Sequence, residues 1–189
     1  LNVLYVWNHK KKRRSFVFLI ELGLFFGMCA DILLGVQFIS GILFFAAGHV
    51  VYLAAFFILE KFQKRDILIT LPFVVFSLYI VAGTSFIQIE DPVLEKMLLS
   101  YAFIIACMLG KAVSNLISEK SKCRWLIFVG CFMFWFSDIV LAIDMFGESS
   151  RLTWVLCSYV YWPAQNIMAH SMFYINDKKK DETHELFRR

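Results

Sequence analysis

Polar residues fall in tight clusters along this chain, and long apolar runs lie between them. The clusters read KKKRR at 10–14, EKFQKRD at 60–66, SEKSKCR at 118–124 and KKKDETHELFRR at 178–189. A bilayer core about 30 Å thick is crossed by about 20 apolar residues of helix. Six runs meet that length: 15–36, 38–59, 67–87, 93–117, 125–146 and 152–175. The connections are too short for a soluble domain. The pattern predicts one all-α, polytopic transmembrane bundle of six spans over residues 1–189, with a polar tail at 176–189.

Charge then orients the spans. Residues 10–14, 61–65, 120–124 and 178–189 hold 16 of the 19 lysines and arginines, and all four segments share one side if every run crosses. The opposite connections carry Gln88, Glu90, Asp91, Glu148 and Arg151. The excess of Lys and Arg marks the cytoplasmic side, which places both termini of this chain there. The chain opens on Leu1, and LNVLYVWN reads as the end of an earlier hydrophobic segment, so one or more helices are expected to precede it.

Composition agrees with a membrane class. Hydrophobic residues make up 60% and charged ones 18%, against about 45–50% and about 25% in soluble domains. The net charge of +4 lies in the clusters, so it reports topology and not a nucleic-acid surface. Cys29, Cys107, Cys123, Cys131 and Cys157 show no CxxC or Cys/His spacing, and neither a disulfide framework nor a zinc site is implied. No signal-peptide pattern is present.

Two acids break the apolar runs: Asp31 in GMCADILLG and Asp138 in WFSDIVLA. A carboxylate at such depth costs several kcal/mol unless compensated, which makes it a functional candidate. The first span has Gly23, Gly27, Asp31 and Gly35 at four-residue steps. Small residues so spaced admit a neighbouring helix, which predicts Asp31 on a packing face away from lipid. By rise per residue, both acids lie about 20–24 Å from the cytoplasmic face, and the returning spans bring His49 and Gln165 within about 17 Å of it. Tyr52 shares a face with His49, and Tyr161 with Gln165. One polar layer is therefore expected from Asp31, His49, Tyr52, Ser137, Asp138, Tyr161 and Gln165. Singly, each of these is equally a helix–helix hydrogen bond; two acids with a histidine and a glutamine at one depth favour chemistry. Lys111 lies near the cytoplasmic end of the fourth span, where its ammonium can snorkel. Pro163 interrupts the sixth span and frees a backbone carbonyl.

These are also the stretches that carry a resemblance. GMCADILLG, SGILFFAAGHVVY, GCFMFWFSDIVLAIDMF and YVYWPAQNIMA resemble, in order, the four signature blocks of the lysoplasmalogenase (YhhN-like) membrane family. Those blocks read approximately G-L-x-F-S-x-x-G-D-x-x-L, G-x-x-x-F-x-x-x-H-x-x-Y, F-x-x-S-D-x-x-L-A and Y-x-x-A-Q. The departures are Ala30, where the family has glycine before the first aspartate, and Cys29 and Pro163. The resemblance implies a bundle of roughly eight helices, so that this chain would lack the first one or two. It places the seven residues above on the family's polar positions and makes Lys111 a candidate phosphate contact. It also implies an activity, that of a hydrolase cleaving the vinyl ether of a lysoplasmalogen to a fatty aldehyde and a glycerophospho-ethanolamine or -choline. The partners would be an alkenyl lysophospholipid, water and the bilayer, with no cofactor, no metal and no nucleic acid. The membrane would be the endoplasmic reticulum or another internal membrane in a eukaryote, or a bacterial inner membrane.

The chemistry suits two acids. An enol ether hydrolyses by protonation at carbon, and water then captures the resulting oxocarbenium ion. That division of labour, one proton-bearing carboxyl and one carboxylate, is the one glycosidases use. Asp31 and Asp138 are the expected pair, with the order of roles open. His49 and Gln165 would position water or the ether oxygen, and Tyr52 and Tyr161 would orient the acids. Three other readings stand beside this one: a small-solute or proton-coupled transporter using the same polar layer, a metal hydrolase using His49, His170 and the acids, and a non-catalytic protein of the same fold.

Overall fold

The computed structural model describes residues 11–84, 87–147 and 149–175, with side chains from residue 14 onward. The leading hydrophobic segment, Lys10, Ser85, Phe86, Glu148 and the 176–189 tail lie outside the described residues.

Six helices follow one another: α1 (Lys11–Leu34), α2 (Phe38–Leu59), α3 (Lys64–Gly83), α4 (Pro92–Ser118), α5 (Lys122–Phe146) and α6 (Arg151–Ser171), with a 3₁₀ turn at Met172–Tyr174. There is no strand among the described residues. Polar residues in the connections start the helices chemically. Asp66 accepts a hydrogen bond from the Gln63 backbone N–H (2.9 Å) in a capping box at the head of α3. Asp91 accepts from the Val93 N–H (2.9 Å), and Pro92 fills the first position of α4, where its missing N–H costs nothing. Ser150 and Thr153 cap α6 reciprocally.

Helices α1 to α5 are long and apolar enough to cross a membrane, and the protein is an integral membrane, polytopic helical bundle. The expected sixth crossing differs. Helix α6 has 21 residues but does not join the other five in apolarity, because Gln165, Asn166 and His170 stand in its second half. Pro163 does not interrupt it, since the helix runs on through that exposed residue.

Packing joins neighbours in sequence: α1 on α2, α3 on α4, and α5 on α6, with α4 also touching α2 and α5 at the centre. The α3 residues that reach the interior are Asp66 and Ser77, both polar. Trp135 Nε1 donates to the Ser77 hydroxyl at 2.8 Å, and Lys111 Nζ donates to Asp66 Oδ2 at 2.7 Å. Against lipid, where apolar contact gives no net drive, such hydrogen bonds and close small-residue contacts hold a helix in place. Gly110 of α4 supplies the close contact, because a Cβ there would run into Thr70 of α3. Gly110→Val is expected to destabilise the bundle by about 1–3 kcal/mol through overpacking, read as a lowered thermal midpoint in detergent.

Candidate active site

Asp138 projects from the middle of α5, and its Oδ2 accepts a hydrogen bond from the Tyr101 hydroxyl of α4 at 2.5 Å. Asp31, on α1, is held in the same manner from the other side. The Tyr161 hydroxyl of α6 donates to Asp31 Oδ1 at 2.8 Å, and Gln165 Nε2 donates to that hydroxyl at 2.7 Å. Tyr161 and Gln165 are one helical turn apart, so both reach the same neighbour. Gln165 fits because residue 27 is glycine: a Cβ there would stand 2.8 Å from its Nε2.

Between the two tyrosine-capped acids lies a layer of rings around His49, which is only 2% exposed. Its ring centroid is 5.5 Å from Tyr101, 5.7 Å from Phe134 and 6.4 Å from Tyr52. Phe134 continues the layer to Tyr161 at 5.7 Å. Nδ1 of His49 and the Tyr52 hydroxyl are buried without a hydrogen-bond partner. Buried polar atoms are nearly always paired, so such a couple calls for a water or a ligand group.

The two acids differ in surroundings. Asp138 lines an apolar cleft, partly open, between α2, α3, α4 and α5. Asp31 is exposed on the outside of the bundle at the seam of α1 and α6, where those helices touch lightly. The expectation of a packed Asp31 holds only for the glycines below it. Gly23 and Gly27 are buried, against Tyr52 and Gln165, whereas Asp31 and Gly35 are not.

The signature blocks thus converge on one layer of the bundle, and the YhhN family model matches residues 1–172. The chain belongs to the YhhN family. No curated protein and no solved structure matches it.

The remaining candidates of this YhhN chain make no hydrogen bond that joins the two acids. Ser137 is fully buried and donates to the Phe134 carbonyl of its own helix at 2.9 Å. Tyr52 makes no hydrogen bond to either acid; its ring lies against Gly23. Lys111 does not snorkel. Its ammonium is buried against Asp66, the Lys61 carbonyl at 3.2 Å and the Phe57 ring at 4.9 Å, about 15 Å along α4 from Tyr101. His170 is exposed, with Nδ1 on the Asn166 carbonyl at 2.9 Å. Among the described residues no three His, Cys, Asp or Glu side chains gather as metal ligands.

Sequence reasoning passed over Tyr101. The signal was available: Tyr101 stands 17 residues before the end of α4, about 25 Å up from the basic end, level with the two acids.

Proposed function

We propose that this YhhN-family protein hydrolyses the vinyl ether of alkenyl lysophospholipids by acid–base chemistry between Asp138 and Asp31. What supports this reading most is that two carboxyls, each oriented by a tyrosine hydroxyl, share one layer, and that Asp138 alone of the two opens onto an apolar cleft. Asp138 is therefore the acid that a membrane-borne alkenyl chain meets. It gives its proton to the outer vinyl carbon, and the electron pair of the double bond forms the new C–H bond. The ether oxygen shares the resulting positive charge as an oxocarbenium ion. Water adds to the carbon bonded to the ether oxygen and loses a proton to Asp31. The hemiacetal then collapses: its hydroxyl proton passes to Asp138, the C–O bond to glycerol breaks, and the glycerol oxygen takes the proton held by Asp31. Fatty aldehyde and glycerophosphodiester are released, and the two carboxyls return to their starting states.

His49 and Tyr52, the buried groups without partners, hold the attacking water in this scheme, while Gln165 acts through Tyr161. Lys111, committed to Asp66, is left out of phosphate binding. The basic clusters support a cytoplasmic position for the Lys111 end of the bundle.

The test compares purified full-length protein acting on an alkenyl lysolipid and on its ester and saturated ether counterparts, with aldehyde release as the signal. Aldehyde is expected from the alkenyl substrate alone, at a rate unchanged by strong chelator. Folded protein that releases none would turn the reading toward transport, and proton flux in liposomes would then be measured.

A further inference from the structure

The cleft beside Asp138 is closed to polar ligands by its own wall. Trp135 Nε1 is spent on Ser77 and the Tyr101 hydroxyl on Asp138. The rest of the Asp138 carboxyl is then the polar group the cleft offers, in a wall of Ile, Leu, Val, Ala and Phe side chains. A group that reaches this space from the bilayer and desolvates nothing polar is a hydrocarbon chain.

The cleft also has a direction and an end. It runs from Trp135 and Asp138 in mid-helix to Phe146 at the end of α5. From Asp138 to Phe146 is eight residues, about 12 Å of helix. There Phe38 and Phe146, both in the wall, meet edge to face with centroids 5.7 Å apart. The Phe146 carbonyl accepts from the Gln88 N–H at 2.8 Å, which fastens this corner to the α3–α4 connection. Ala102 and Ala142 are small wall residues along the way, so the bore depends on their size.

We propose that this cleft holds a single hydrocarbon chain, with the chain's polar end at Asp138 and its far end stopped by the Phe38–Phe146 pair, so that it reads chain length. The direction rests on the vinyl ether reading, which puts the reacting end at Asp138; the chain site itself does not.

Trp135 gives a direct report, because it stands in the wall one turn from Asp138. Full-length protein in detergent is titrated with lysophospholipids brominated either near the glycerol or at the chain terminus. Bromine near the glycerol is expected to quench the Trp135 component at least twofold more than terminal bromine, and Trp135→Phe removes the difference. Ala142→Leu is expected to weaken binding of the longest chains about tenfold while sparing short ones. Phe146→Ala is expected to shift the preference to longer chains. Equal quenching in wild type and Trp135→Phe, with no length effect in Ala142→Leu, overturns the proposal. Stronger quenching by terminal bromine reverses the chain and overturns its direction. Trp135-specific quenching without aldehyde release sustains the chain site and removes the hydrolase reading instead.

Discussion

Asp138→Asn is expected to abolish aldehyde release while leaving the bundle folded. The substitution keeps an oxygen that can accept from Tyr101, so the 2.5 Å contact survives in neutral form and the fold loses little. What disappears is the transferable proton at the cleft. General acid–base groups contribute about 10²–10⁴-fold to rate, and no other carboxyl lines that cleft, so a loss at the upper end of this range is expected. Asp31→Asn should also abolish turnover, since the amide cannot take a proton from water, yet Tyr161 can still donate to its carbonyl. The check is turnover of the alkenyl lysolipid set beside the thermal midpoint of each variant. A variant that keeps its midpoint and most of its rate removes that residue from the mechanism. Tyr101→Phe separates orientation from chemistry: the carboxyl remains but loses its hydroxyl partner, and the rate constant should fall while substrate affinity holds.

The parts of this site that depend on helix rise were legible in the sequence, and the parts that depend on helix rotation and pairing were not. Rise per residue brings Asp31, His49, Asp138, Tyr161 and Gln165 to one depth whatever their neighbours. Rotation is less forgiving. A four-residue step overshoots one 3.6-residue turn by about 40°, so Asp31 lies about 80° round from Gly23. That is enough to carry it from the Tyr52 contact to the exposed seam with α6. Tyr101 escaped notice because a tyrosine in an apolar run is ordinarily a packing ring; its role depends on α4 lying beside α5. The Lys111–Asp66 pair joins residues 45 apart, and charge clustering alone shows only that both stand near the basic end. The polar character of α6 was visible in Gln165, Asn166 and His170; the length of its run alone hid how far it falls below the other five.

Lys111→Met is expected to be the most destabilising single change in the bundle, and Asp66→Asn added to it should restore much of the loss. The side chains are 3% and 6% exposed, with 2.7 Å between Lys111 Nζ and Asp66 Oδ2. Removing only the ammonium strands a carboxylate that keeps two further donors, the Ser114 hydroxyl and the Gln63 N–H. Breaking one side of a buried pair costs about 3–5 kcal/mol, whereas replacing both charges costs far less. Asparagine at 66 can turn its oxygen to the Gln63 N–H and its amide N–H to the Ser114 hydroxyl, which then accepts, so the helix cap is preserved in the double variant. Unfolding of the two single variants and the double variant in detergent gives the coupling energy directly. If Lys111→Met alone is no less stable than the double variant, the pair is not the anchor its burial implies. The consequence reaches the cleft, because α3 carries Asp66 at one end and the wall residues Ser77, Ile80 and Val81 further along. With its ionic anchor gone, α3 is held by Ser77, Phe73 and Phe76 on Trp135 and by the Thr70–Gly110 contact. Lys111→Met should therefore weaken substrate binding more than it slows the bound reaction, although Lys111 lies about 15 Å along α4 from Tyr101, the partner of Asp138.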